Sequence, residues 1–214
     1  MIKVRRGPIP GTLARNGSRW KMQLLATADP KKAEVRTRYS SPEIKAALLQ
    51  TFMSKCAYCE SKIRQIDYGQ IDHFRPFLLF PDLTYEWSNL FLACGVCNGA
   101  QFKGARFPEE AEGGPLVNPC EEDPAAHLDF VFDTTTKLAS IYGKTDRGKT
   151  TVSVFGLNRH ELREYRSKFV QRLRALSRLA TQDEEAAELI QEVRAVSSEY
   201  SAFLDRILAV DGEG

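Results

Sequence analysis

The residues of this chain best equipped for chemistry are two cysteine pairs and one Asp-His dipeptide between them. Cys56 and Cys59 form one C-x-x-C turn, Cys94 and Cys97 a second, with 34 residues between Cys59 and Cys94. Each such turn offers two sulfurs from one tight loop, and two turns complete the tetrahedron that Zn²⁺ prefers. Four thiolates leave the metal no open position, so the expectation is a structural Zn²⁺. The competing reading is two unrelated pairs of buried free thiols. The fifth cysteine, Cys120, reads as an ordinary small residue in a loop. Asp72 and His73 stand inside the stretch QIDHFRP, and His73 is one of three histidines. A neutral imidazole can take a proton from water near pH 7. A carboxylate or an amide oxygen can hold a hard cation such as Mg²⁺. Asn89 follows downstream, and Asn98 comes directly after Cys97. A lone histidine is more often structural, and Asn98 could instead cap a helix. Arg75 suits either a phosphate or an acidic partner, and Lys103 reads as a solvated lysine before a phosphate contact. His127 and His160 lack neighbours of this kind and read as structural.

The elements that must carry these residues follow from patterning. YSSPEIKAALLQTFMSK reads as a helix entering the first cysteine turn: Ser40 or Ser41 caps it, Pro42 suits its first turn, and Glu43 favours its N-terminal dipole. Ile44, Ala47, Leu48 and Phe52 make its apolar face. Residues 66–76 suit a strand, and NLFLAC a second strand leading into the second cysteine turn. In a strand, successive side chains alternate faces. Asp72 and His73 should therefore diverge, and a twist or bulge would be needed for both to serve one site. NGAQFKGARF is expected to begin a short helix, weakened by Gly99 and Gly104. HLDFVFDTTTKLASIYG suggests a hairpin, and TTVSVFGLN a small strand or turn. Residues 159–180 and 183–210 read as two amphipathic helices, the second with Asp183 as N-cap and an apolar stripe running from Ala187 through Val196 to Ile207.

The fold class is thus α+β, in four parts: a basic, extended N-terminal arm over 1–39 that wraps the domain or a partner, a zinc-stapled core over 40–110, an acidic loop with small β elements over 111–158, and a C-terminal helical region over 159–214. The 214 residues suffice for a core without disulfides, and 43% hydrophobic against 27% charged residues is ordinary for a soluble protein. The start, MIKVRRGPIPGTLARNG, has charge but no apolar stretch behind it, so no secretory signal, no membrane span and a cytoplasmic location are expected. Net charge is +2, but residues 1–40 hold ten Lys/Arg against two acids, and residues 108–133 hold eight acids and no Lys/Arg. Residues 159–178 hold seven Lys/Arg against two Glu. Basic segments suit a polyanion such as nucleic acid, while the plainer reading is a solvated mixed-charge surface.

The order Cys56, Cys59, Asp72-His73, Asn89, Cys94, Cys97, Asn98 resembles the HNH endonuclease family over residues 56 to about 107. The resemblance implies a ββα-metal fold and hydrolysis of nucleic-acid phosphodiesters. It implies His73 as general base, Asp72 and Asn98 as ligands of a catalytic Mg²⁺ or Mn²⁺, and Asn89 as the residue that fixes the loop orienting the histidine. The last ligand in the family is often His; here it is Asn98, whose amide oxygen is also a hard ligand. Two further departures are Phe77 and Gln101, where the family pattern leads one to expect lysines. Beyond the core, IKVRRGPIP, CAYCE, LACGVCN, LVNP, EDPAAHLDF and GLNR resemble the PtuB-type HNH nucleases of Septu and retron antiphage defence. That branch implies an ABC-class ATPase partner. DNA is placed ahead of RNA as substrate, with no motif of the chain selecting between them. The alternative is a non-catalytic zinc module that binds nucleic acid or a partner protein.

Overall fold

The computed structural model describes residues 1–27, 34–65, 67–193 and 197–204. The fold is α+β: six α-helices, short 3₁₀ turns and two antiparallel two-stranded sheets among the described residues. The helices are α1 (Gly11–Leu25), α2 (Pro42–Thr51), α3 (Gly95–Asn98), α4 (Asp146–Val154), α5 (His160–Leu179) and α6 (Glu184–Val193). The strands are β1 (Gln70–His73), β2 (Leu90–Ala93), β3 (Leu128–Phe132) and β4 (Ala139–Gly143).

The first sheet and the helical turn after it form the ββα unit that presents the Asp-His dipeptide. β1 pairs with β2 in the register Gln70↔Ala93, Asp72↔Phe91, His73↔Leu90. Every residue of β2 is buried, as an uninterrupted apolar run of strand length demands. α2 starts as its sequence requires: Ser41 Oγ accepts from Ile44 N–H at 3.4 Å, and Pro42 sits in the first turn. Its buried face, Ile44 and Leu48, packs on β2. Phe52, just past the helix, stacks near Phe91 with ring centroids 5.5 Å apart.

Residues 1–10 do run extended along the core: Val4 N–H donates to Pro119 O at 2.8 Å, and Arg6 donates to Leu90 O at 2.9 Å and Ser88 O at 2.7 Å. The extended arm ends there. Residues 11–25 are helical, with Leu13, Gly17, Trp20 and Leu24 buried in one stripe. The Gly and Pro residues at 7–11 mask that stripe in the sequence, yet they all precede or open the first turn, where they do no harm. Residues 28–33 of the expected arm lie outside the described residues.

Other expectations change in position. The first strand covers four residues, not eleven, and Ile66 lies outside the described residues. The helical turn lies on the second cysteine pair itself, at Gly95–Asn98, and 99–105 are turns. The hairpin at 128–143 is present. Of TTVSVFGLN, residues 155–158 are a turn, but 150–154 are helix and not strand: Thr145 Oγ1 caps that helix by accepting from Gly148 N–H at 3.1 Å, and Thr151 and Val154 face the core from it. Tertiary burial here overrides the β-branched preference. The last helix is described over Glu184–Val193 and does not run unbroken to 210: residues 197–200 are turns and bends, and a 3₁₀ turn spans Ser201–Phe203. Val196 and Ile207 of its expected stripe lie outside the described residues.

Candidate active site

The four cysteines meet. One sulfur from each of Cys56, Cys59, Cys94 and Cys97 lies within 4.8 Å of all the others, and Cys59 Sγ is 3.9 Å from Cys94 Sγ. Sulfurs about 2.3 Å from a tetrahedral Zn²⁺ stand about 3.8 Å apart, so the donor set and its spacing fit zinc. Sharing of hydrogen with Cys56 holds the Cys59 and Cys94 thiols below the ordinary value, and the same sharing pushes Cys97 well above it. Burial pushes Cys56 up. A dication held by the four sulfurs would displace the protons that they share.

Arg159 stands behind this cluster, donating to Cys97 Sγ at 3.5 Å while its guanidinium lies 5.5 Å from the Phe102 ring. Burial works against the Arg159 charge, but the facing Cys97 and Cys59 sulfurs outweigh it and raise its pKa. Sequence reading placed Arg159 in a basic segment suited to a polyanion or to a solvated surface, and missed this contact. Arg166 leaves that basic face too. It is buried, donating to Ala139 O from Nε and Nη2 at 3.0 and 2.7 Å and to Leu157 O at 2.9 Å. Burial pulls its pKa down to about 10.

Asp72 and His73 diverge, as neighbours on a strand must. His73 Nε2 lies 3.0 Å from Thr84 O, and its ring meets Tyr39 edge-on at 4.5 Å between centroids. His73 borders a cleft of about 190 Å³ that Asp72 and Asn98 also line. The Asp72 carboxylate is held on different partners: Oδ1 accepts from Lys103 Nζ at 2.7 Å, and Oδ2 accepts from the Tyr58 hydroxyl. The Lys103 ammonium also donates to the His73 carbonyl oxygen at 2.7 Å, so one lysine ties both residues of the dipeptide. Lys103 is fully buried, not solvated. Burial pushes the Asp72 carboxyl up, against the opposing pull of Lys103 and Tyr58.

Tyr58 connects this carboxylate to the zinc turn. It is the third residue of CAYC, and its ring stacks on Phe155 at 3.9 Å between centroids. Gly156, next to Phe155, leaves room for the Phe102 ring: its φ is +56°, and a Cβ there would stand 1.9 Å from that ring. Burial first, then the Asp72 charge, push the Tyr58 phenol well above its ordinary value, so it stays protonated and donates.

Asn89 bridges the segments that flank His73. Its Oδ1 accepts from Arg75 N–H at 2.8 Å, and its Nδ2 donates to Arg75 O at 3.0 Å and Leu83 O at 3.2 Å. Leu83 is the neighbour of Thr84, whose carbonyl meets the imidazole. Asn98 Nδ2 donates to Gln70 Oε1 at 2.7 Å, which makes its amide oxygen the ligand atom on offer. Asn98 closes α3 and is not a helix cap. Asp72 and Asn98 together are hard oxygen donors on one cleft, a set whose chemistry fits a divalent cation of the Mg²⁺ class. Arg75 stacks over Phe80 and Phe107 at 5.9 and 5.7 Å. His127 sits apart, 2.9 Å from Glu122 Oε2 and 2.8 Å from Thr145 Oγ1.

Comparison with known proteins agrees with this geometry. Residues 56–103 match the HNH endonuclease family. The chain is 33% identical over 155 residues to Septu protein PtuB of Bacillus mycoides (strain KBAB4), covering 61% of this chain and 52% of that protein. It is 31% identical over 159 residues to Septu protein PtuB of Bacillus thuringiensis, covering 74% of this chain and 55% of that protein. It is 26% identical over 183 residues to Septu protein PtuA of Bacillus mycoides (strain KBAB4), 69% of this chain but 24% of that protein. The chain therefore spans about half the length of the PtuB proteins it matches. No solved structure matches it.

Proposed function

We propose, from the match of residues 56–103 to the HNH endonuclease family, that this protein is a metal-dependent endonuclease that hydrolyses nucleic-acid phosphodiester bonds. The observation that carries the reading is the tether on His73. A carbonyl oxygen can only accept, so the 3.0 Å contact with Thr84 O keeps the proton on Nε2. The basic lone pair of the neutral ring then belongs to Nδ1. His73 takes a proton from a water directed at phosphorus, a contribution worth about 10²–10⁴ in rate. Asn89 acts through it, as a positioning residue that locks the Arg75 and Leu83 segments around the imidazole. Asp72 and Asn98 would supply oxygen ligands to a Mg²⁺ or Mn²⁺ ion, whose chemistry would be to stabilise charge on the departing oxygen. Cys56, Cys59, Cys94 and Cys97 would hold a Zn²⁺ as a scaffold, with Tyr58 of the first turn donating to Asp72.

Similarity to the PtuB and PtuA proteins supports a place in a Septu-type system. In this reading the chain serves antiphage defence in the cytoplasm, beside an ABC-class ATPase. DNA stands ahead of RNA as substrate in this reading. No helix among the described residues is long and apolar enough to cross a membrane. One observation favours a second reading, a non-catalytic zinc module: both Asp72 oxygens already have donors, in Lys103 and Tyr58. Incubation of the chain with plasmid DNA in Mg²⁺, Mn²⁺ or EDTA, with and without the ATPase, separates the two. The nuclease reading expects cutting that EDTA abolishes; no cutting under any metal, with the partner present, favours the module.

A further inference from the structure

Beyond His73 the chain turns at Pro76 and presents Phe77, Leu78, Leu79 and Phe80. Leu78 is 45% exposed and Leu79 58% exposed. The turn has a set shape, because the N–H groups of Leu79 and Phe80 both donate to Pro76 O at 2.9 Å. Phe77 and Leu78 form one wall of the cleft, and the Phe77 ring lies 5.8 Å from the His73 imidazole. Residues 76–82 contain no Lys or Arg. The preceding cation, Arg75, spreads over the Phe80 and Phe107 rings.

We propose that this apolar tip is a binding surface for the faces of unpaired bases, so that the site selects nucleic acid with unstacked nucleotides beside the scissile phosphate. The inference rests on the nuclease reading of His73. Leucines pressed against the outside of a duplex would strip water from phosphates and give no hydrogen bond in return. Base faces are the apolar surface of a nucleic acid, and in a uniform duplex stacking covers them. Successive nucleotides of a strand rise by about 3.4 Å in a duplex. A phosphate placed at His73 therefore brings its neighbouring nucleoside within reach of the Phe77 ring and the leucines beyond it. A flat guanidinium and exposed apolar side chains next to a cleft are what splayed bases pack against.

The test is equilibrium binding by fluorescence anisotropy, using the full chain with His73→Ala so that no probe is cut. The probes are a single strand, a uniform duplex of the same sequence, and that duplex with an unpaired internal loop. The single strand and the looped duplex should bind about tenfold tighter than the uniform duplex. Leu78→Ser with Leu79→Ser, in the same background, should weaken those two by about tenfold and leave the uniform duplex unchanged. Both positions are exposed, and an unaltered thermal melt shows that the fold survives. Equal binding of all three probes, or an unchanged preference in the serine variant, overturns the proposal. Equal cutting of paired and unpaired substrates by the unmutated chain also overturns it while keeping the nuclease reading. Absence of both binding and cutting overturns the two together.

Discussion

Lys103→Met removes one half of a buried ion pair whose side chains are 0% and 5% exposed and whose Nζ–Oδ1 distance is 2.7 Å. Breaking such a pair from one side leaves an uncompensated charge and costs about 3–5 kcal/mol. The His73 carbonyl loses its 2.7 Å donor as well, worth about 1 kcal/mol more. Tyr58 still donates to Asp72, which holds the total near the lower figure, about 3–4 kcal/mol. That is a large share of the ~5–15 kcal/mol stability of a domain. Urea unfolding of the zinc-loaded chain at neutral pH measures it. Asp72→Asn and the double variant complete a cycle. With both charges gone the penalty should shrink, giving a coupling of about 2 kcal/mol or more. The pH dependence has a definite sign. Burial already pushes the Asp72 carboxyl up, and without the ammonium it rises further. The folded variant then binds a proton more readily than the unfolded chain, so stability falls as pH rises between the two pKa values. The deficit should therefore shrink as pH drops from neutral toward about 4, the ordinary carboxylate value. A Lys103→Met chain within about 0.5 kcal/mol of the parent, or strictly additive with Asp72→Asn, refutes the reasoning.

Elemental analysis should find one zinc per chain, and Cys94→Ser or a strong chelator should abolish cooperative unfolding of the core, because the thiolate site contributes folding energy outright. Tyr58→Phe keeps the stack on Phe155 but strips a donor from Asp72, and should cost about 1–3 kcal/mol in denaturant unfolding with little change in near-UV circular dichroism. Arg166→Met should destabilise by about 2 kcal/mol or more, since it leaves the Ala139 and Leu157 carbonyls without their donor, and should not alter nucleic-acid affinity of the folded chain. Loss of affinity without loss of stability would return Arg166 to a binding face.

The parts of the site legible in the sequence are those whose chemistry is local. Two C-x-x-C turns announce a tetrahedral cluster, and Ser41-Pro42 announces a helix start, because spacing alone carries the geometry. The alternation of a strand foretells that Asp72 and His73 part company. Lys103 was not legible. It follows a run of turns with Gly99 and Gly104 around it, which looks solvated, and its burial arises from a carboxylate 31 positions away. Tyr58 was missed for the same reason: nothing within CAYC indicates that the ring stacks on Phe155 or that its hydroxyl meets Asp72. α1 hid behind the Gly and Pro residues at its start. α4 hid behind a β-branched run that packing against β4 turns into helix.

The central claim is that His73, held through Nε2 by Thr84, is the base of a phosphodiester hydrolase. Its most direct test is the rate of nucleic-acid cleavage by His73→Ala against the unmutated chain, in Mn²⁺ or Mg²⁺ and with the ATPase present, with zinc content and thermal melt measured on the same samples. The account predicts a loss of about 10²–10⁴-fold or more in rate with zinc and melt unchanged. Cleavage by the alanine variant at the parent rate would contradict it.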